Sequence, residues 1–335
     1  MIPTSTESLI HKALHNRAEL ISALHTEETD TYRLFHGANE GFPGLTIDRY
    51  GDRILVQSFY ESPSDTDRDQ LQSFLNPQLD FEPTYDFRDR SVSKTVDQQP
   101  PDKPTNSSPF SSELGVRYLT KTSYRGQDPY LFLDMRATRR YLLANSRDLS
   151  VLNLFAYTCS LGLCAAMGGA AEVWNIDFAE SALEVGRTNL LENRAPEFSH
   201  QMIREDFFPA IRQLAGMQVK GRGRRKKYGK YQPRTFDLVL LDPPRWATSS
   251  FGAVDLIRDY QSVFKPALLV TKPGGRIICT NHVPSVSLDA WLEILEKCAL
   301  KNSCSIDIAA VITPEEDFPS PDGKHPLKIA VIDRK

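Results

Sequence analysis

Cysteine is scarce. The 335 residues hold five, at positions 159, 164, 279, 298 and 304, with no C-x-x-C pair and an odd total. A disulfide framework is therefore not expected, a reducing compartment is, and no metal site is anticipated. No apolar run approaches the length of a membrane span, and the opening MIPTSTESLIHKALHNR lacks an apolar signal core. The expectation is a cytoplasmic protein with no membrane partner. Nor is there a large excess of one charge: 40 Lys and Arg stand against 43 Asp and Glu, a net −3. The whole chain is not a polycation, so affinity for nucleic acid has to come from a local patch. Hydrophobic content of 40% and charged content of 25% suit a globular protein with a sizeable core, and the length suits one large or two ordinary domains.

What is present centres on residues 151–193. The apolar run Val151–Phe155 reads as a buried strand, Thr158-Cys159-Ser160 as a turn, and Leu161–Met167 as a helix stopped by Gly168-Gly169. A second strand, Ala171–Ile176, ends in Asp177, and Ser181–Leu191 is again helical. Strand, tight turn, helix, strand and acid form a nucleotide-binding βαβ unit, in which a carboxylate at the second strand tip can accept hydrogen bonds from two ribose hydroxyls. The turn lacks G-x-G-x-x-G and instead carries Tyr157, Thr158, Cys159 and Ser160. A pyrophosphate needs glycines there so that backbone N–H groups can approach it. S-adenosylmethionine, which has no phosphate, tolerates side chains.

On either side, the pattern continues. Helical spacing covers 7–25, and short strands are expected at 32–35, 45–48 and 54–57, the last two joined by Gly51-Asp52. A helix fits 65–76 and a strand 84–90. Residues 97–112 contain four prolines and read as a mobile loop. Residues 131–143 begin as a strand end and become a helix, with Leu142 and Leu143 facing the core. Asp134 and Arg136 sit at that junction, where ligands collect, and Arg136 could meet a cofactor carboxylate or a phosphate. Arg140 reads as part of a solvated basic face. Arg204–Phe208 closes a third strand whose tip carries Asp206, able to accept from an adenine amino group. The stretch 220–234 has eight Lys or Arg among fifteen residues and none acidic; Arg222, Arg224, Arg225, Lys226 and Lys227 are candidates for RNA contact, with tyrosines available for stacking. Phe236–Leu241 is a buried parallel strand ending in Asp242-Pro243-Pro244-Arg245-Trp246. Leu256–Leu269 is helical, Arg276–Cys279 a strand with Asn281 and His282 at its tip, and 289–300 a helix. The closing strands are 305–312 and 327–333.

Several of these pieces resemble one family. GFPGLTIDRYGD, FLDMRATRR, VLNLFAYTCS, VWNID, FDLVLLDPPRW and KPGGRIICTN occur in the order found in class I S-adenosylmethionine-dependent methyltransferases of bacterial 23S ribosomal RNA, over roughly residues 10 to 333. The resemblance implies a Rossmann-like α/β sheet, mostly parallel with one antiparallel strand. A small α+β domain is expected over 1–125 and a cofactor-binding methyltransferase domain over 126–335. It implies that Tyr157, Thr158 and Ser160 shape the methionine end of the pocket, that Asp177 with Phe178 holds the ribose, and that Asp206 with Phe207 holds the adenine. Asp242 and Pro243 would line the place where methyl donor and base meet, beside Trp246 and Asn281. Cys159 stands where the family usually has glycine, which narrows the approach of cofactor to backbone.

One branch of the family methylates cytosine C5 through a cysteine; another methylates guanine N7. The nucleophile is expected just after Asp-Pro-Pro or at the tip after Gly274-Gly275, where this chain has Arg245 and His282. Cytosine C5 needs a thiolate adduct, whereas a ring nitrogen has its own lone pair. Ring-nitrogen methylation of RNA is the favoured expectation. The alternatives are a cytosine enzyme using Cys279, a non-catalytic RNA-binding protein that keeps the pocket, and a small-molecule methyltransferase.

Overall fold

The computed structural model describes residues 5–91, 108–122, 129–195, 200–219 and 227–335. The chain forms two compact units, Met1–Arg136 with Pro314–Lys324 (unit 1) and Ala137–Thr313 with His325–Lys335 (unit 2).

In unit 1 the helical stretch after the N-terminus is two helices, α1 (Ser5–Asn16) and α2 (Ala18–Thr26), rather than one. The break is at Arg17, only 3% exposed. Its guanidinium donates to the Ala13 carbonyl at 3.0 Å and to Glu40 at 2.9 Å. Strands β1 (Thr31–His36), β2 (Leu45–Tyr50), β3 (Arg53–Ser58) and β4 (Thr84–Asp89) form a sheet in that order. The first three are antiparallel and β4 runs parallel to β3. The β2–β3 turn is Gly51-Asp52, with Gly51 at φ 64°, a conformation that costs a glycine little. Helix α3 (Asp65–Leu75) starts at Ser64, which caps the Asp67 amide while the Asp67 carboxylate caps the Ser64 amide at 3.0 Å. Ile10, Leu24, Leu34, Ile47, Ile54 and Leu71 pack in its core.

Residues 97–107 of the expected mobile loop lie outside the described residues. Its end is ordered: β5 (Phe110–Glu113) pairs antiparallel with β6 (Val116–Leu119). The composition hid this strand because only alternate residues, Ser111 and Glu113, turn inward, and both are polar.

Residues 131–135 are not a strand end. They lead into a 3-10 turn, Leu133–Met135, and then α4 (Arg136–Asn145). The junction is not a ligand site for Arg136. Its guanidinium, 0% exposed, reaches Asp317 at 2.7 Å, Glu315 at 2.9 Å and Glu113 at 3.4 Å. Asp317 also accepts from the Arg33 amide at 3.0 Å, which draws the segment 314–324 into unit 1. Asp134 lies half-buried in the 3-10 turn of the same unit.

In unit 2 the strands are β7 (Ser150–Leu154), β8 (Glu172–Asp177), β9 (His200–Arg204), β10 (Phe236–Leu241), β11 (Trp246–Thr248), β12 (Ala253–Asp255), β13 (Thr271–Asn281), β14 (Ile306–Ile312) and β15 (Lys328–Arg334). The helices are α5 (Ser160–Met167), α6 (Glu180–Glu192), α7 (Phe207–Leu214), α8 (Gln261–Val270) and α9 (Leu288–Lys301). Among the described residues the main sheet has seven strands in the order β14-β15-β13-β10-β7-β8-β9. β9, β8, β7, β10 and β13 are parallel; β15 runs antiparallel to β13 and to β14. This is the expected fold class, with one antiparallel strand. The central runs VLNL and LVLL are buried at every position, as strands covered on both faces require. The helix expected from Leu256 starts only at Gln261, because residues 246–255 fold as the β11–β12 hairpin. No described helix is long and apolar enough to cross a membrane.

Replacing Arg136 with Met leaves Glu113 and Asp317 buried without their cation. The expected loss is about 3–5 kcal/mol of unfolding free energy, read by denaturant titration; a loss within error would contradict the ion-cluster assignment.

Candidate functional site

The parallel register aligns Leu154 with Ile176, Asp177 with Arg204, and Leu241 with both Leu154 and Cys279. Residues 155–159, Asp177, Asp206 and Asp242 therefore leave the sheet at one edge, the carboxyl ends of the strands, where α/β sheets bind ligands.

The turn after β7 is strained. Phe155, Tyr157 and Cys159 all have positive φ, at 57°, 49° and 61°. None is glycine, and each costs on the order of 1–2 kcal/mol in this conformation. The surroundings impose it. The Ala156 amide donates to the Ile176 carbonyl at 3.0 Å and the Cys159 amide to the Ala156 carbonyl at 2.7 Å. Asp177, 8% exposed, takes the Tyr157 amide on one carboxylate oxygen and the Ala179 amide on the other, both at 2.8 Å. Burial raises the pKa of its carboxyl, and the amides of Ala179, Tyr157 and Phe178 oppose that shift. An ionised carboxylate offers about four lone-pair sites, so it can accept from a ribose hydroxyl beyond these amides.

Under the first turn of α5, Asn153 donates to Asn175 at 2.9 Å, both side chains being buried. A Cβ on Gly162 would fall 2.1 Å from the Asn175 oxygen, so only glycine lets the helix sit this close. Cys159 does not narrow the turn. Its sulfur lies 3.7 Å from the Met202 sulfur, in the space left by Gly186, where a Cβ would come within 2.7 Å of it. Burial, aided by Asp177, pushes the thiol pKa well above its ordinary value.

Asp206 caps α7, accepting from the Phe208 amide at 2.9 Å. Phe207 stacks on Phe155 with ring centres 4.5 Å apart. Phe178 projects from the same edge, 70% exposed. Thr158 is buried, while Tyr157 and Ser160 are half-buried.

At the next strand tip, Asp242 accepts from the Thr280 hydroxyl, and Pro243 is buried beside it. Burial raises the Asp242 pKa, against the hydrogen bond from Thr280 and the charges of His282 and Arg139. Asn281 is the last residue of β13 and 0% exposed. Its oxygen accepts from the Val283 amide at 3.0 Å and its nitrogen lies 3.4 Å from the Leu256 carbonyl. It shapes the tip from within and does not present its amide to a substrate. His282 is half-buried; burial lowers its pKa, Lys328 and Arg245 lower it further, and Asp242 opposes them. Lys328, 6% exposed, donates to the Val283 carbonyl at 3.0 Å and to the Pro326 carbonyl at 2.7 Å. Sequence reasoning missed Thr280, Lys328 and the Phe155–Phe207 stack. Only Thr280 carried a signal, inside KPGGRIICTN.

Trp246 is 65% exposed. Ala247 and Val254 pair across the hairpin and face the core, which leaves Trp246 and Thr248 on the opposite face. The end of the basic stretch docks against this hairpin. Tyr228 meets Phe251 edge-on with ring centres 5.7 Å apart, and Lys230 lies 4.3 Å over the Tyr228 ring. The Gly229 amide donates to Glu205 at 2.5 Å. Lys227 is exposed; Arg222, Arg224, Arg225 and Lys226 lie outside the described residues. Among the described residues, no group of three or more His, Cys, Asp or Glu is arranged to hold a metal.

A family model described as S-adenosylmethionine-dependent methyltransferase matches residues 32–332. A protein of Citrobacter koseri named ribosomal RNA large subunit methyltransferase I is 27% identical over 299 residues, 87% of this chain and 70% of its own length. The protein of that name from Aeromonas hydrophila is 27% identical over 294 residues, 86% of this chain and 70% of its own. A crystal structure assigned as a methyltransferase and complexed with SAH shares the fold at a TM-score of 0.79 and 23% identity, covering 98% of this chain and 81% of that one.

Substituting Lys328 with Met removes one of the two positive charges, with Arg245, that act on His282 against the negative charge of Asp242. The His282 pKa is expected to rise towards its ordinary value, read by NMR titration of the ring; an unmoved pKa would show that Lys328 does not act on that ring.

Proposed function

Because the chain belongs to the S-adenosylmethionine-dependent methyltransferase family, we propose that this enzyme methylates a base of RNA, in large-subunit ribosomal RNA, in the cytoplasm. The single observation that carries the reading is the rim itself: Asp177, Asp206 and Asp242 leave the sheet at one edge beside a turn with no phosphate cradle. The names of the ribosomal RNA methyltransferase relatives and the exposed Trp246 beside the basic stretch support RNA as the substrate.

The residues present fit the cofactor. Asp177 would hold the ribose hydroxyls on its remaining lone pairs. Phe207, stacked on Phe155, offers an aromatic wall to the adenine, with Asp206 beside it and Phe178 exposed at the edge. Tyr157, Thr158 and Ser160 would line the methionine end. When bound, S-adenosylmethionine supplies an electrophilic methyl group on a sulfonium. Asp242 and Pro243 form the wall where an unpaired base would enter, with Trp246 as a stacking surface.

The base is better read as offering a ring nitrogen, such as guanine N7, than cytosine C5. Cytosine requires a thiolate, and Cys279 is 0% exposed in β13. Burial pushes its thiol pKa up to about 12, with only the Tyr260 hydrogen bond opposing. A ring nitrogen brings its own electron pair, and holding it in line with the methyl supplies most of the acceleration. Burial, with Lys328 and Arg245, disfavours a charged His282, which suits a base that becomes cationic.

Mass spectrometry of ribosomal RNA nucleosides from cells with and without the gene tests the reading. Loss of one methylated purine without the gene, restored by purified protein and S-adenosylmethionine, is expected. Loss of 5-methylcytidine, or a covalent complex with 5-fluorocytosine RNA, would overturn the ring-nitrogen assignment.

A further inference from the structure

Unit 1 has a cleft of about 330 Å³ lined by Asp30, Arg49, Asp52, Phe81, Phe110 and Arg117, with the bare backbone of Gly51 between them. We infer that this cleft binds a nucleobase, guanine in preference to the others, and so grips a nucleotide of the RNA other than the one that is methylated. The inference rests on the proposal that RNA is the substrate.

Two arginine–phenylalanine stacks face the cleft. The Arg49 guanidinium lies 3.8 Å from the centre of the Phe81 ring, and that of Arg117 lies 5.6 Å from the centre of Phe110. Arg49 is held in place: its Nε donates to the Gly51 carbonyl at 2.9 Å and its Nη1 to the Tyr32 hydroxyl at 2.6 Å. A planar group fixed over an aromatic ring is the surface on which unpaired bases stack. The volume lies at the lower end of small-ligand sites and suits a base better than an extended molecule.

The charges narrow the ligand further. Two aspartates and two arginines line the cleft, so their formal charges cancel. Such a lining draws neither a phosphate nor a metal ion strongly, and a neutral polar ring suits it. One oxygen of Asp30 is taken by the Ser112 amide at 2.6 Å. The other lies 3.9 Å from where a Gly51 Cβ would stand, beside the bare Gly51 backbone that lines the same cleft. Guanine alone among the bases presents two adjacent N–H donors, N1–H and the 2-amino group, to a carboxylate.

The test uses the full chain saturated with S-adenosylhomocysteine, so that added nucleotides cannot occupy the cofactor pocket. Guanosine, adenosine, cytidine and uridine monophosphates and inorganic phosphate are titrated while the arginine Nε–H signals are followed by NMR. Guanosine monophosphate is expected to shift the Arg49 and Arg117 signals saturably, and Arg117→Ala to weaken that binding about tenfold, as loss of a stacking partner does. Asp30→Asn, which keeps an acceptor oxygen for the Ser112 amide, is the second variant and should reduce the preference for guanine. Equal shifts with phosphate alone, no shift with any nucleotide, or unchanged affinity in both variants would overturn the inference. The readout involves no methyl transfer, so its failure is distinct from failure of the proposed activity.

Discussion

The grip of the Asp177 carboxylate on two backbone amides is the contact on which the site depends. It ties the end of β8 to the turn after β7 through the Tyr157 amide and to the approach of α6 through the Ala179 amide. Three non-glycine residues in five positions hold left-handed backbone there, and a chain without such ties would relax. Hydrogen bonds to a charged acceptor are about twice as strong as neutral ones, and two of them offset much of the local strain. The same carboxylate keeps lone pairs for a ligand. In the proposed site, shape and the hold on the ribose thus come from one group.

Much of this was legible because the decisive residues are local in sequence. Apolar runs ending in Asp177 and Asp242 mark parallel strand tips, and the parallel register carries both to one edge. What was illegible depends on distant partners. Arg136 reads as a candidate ligand because its neighbours in sequence are basic and polar, yet its partner Asp317 is 181 residues away. Asn281 reads as a residue beyond the strand because the apolar run stops at Cys279, whereas β13 runs on to Asn281 and buries it. The β11–β12 hairpin has three-residue strands, too short for an alternation to show.

Cys159 shows how a departure from pattern is absorbed elsewhere. A side chain in a glycine position needs space, and Gly186 on α6 provides it by having no side chain of its own. The sulfur then packs on Met202 and with Leu183, so the turn keeps its open face. The two positions are 27 apart in the sequence and meet only because α6 returns over the turn. The tip of β13 is built in a similar way. Asn281 and Lys328 bind backbone within it, and Asp242 and His282 lie half-buried beside them.

The central claim is that Asp177 both shapes the turn and holds the cofactor ribose. Calorimetric titration of S-adenosylhomocysteine into the wild type and Asp177→Ala, with circular dichroism to confirm that the variant is folded, tests it most directly. The account predicts that a folded variant shows no measurable binding. A folded variant that binds with wild-type affinity would contradict it.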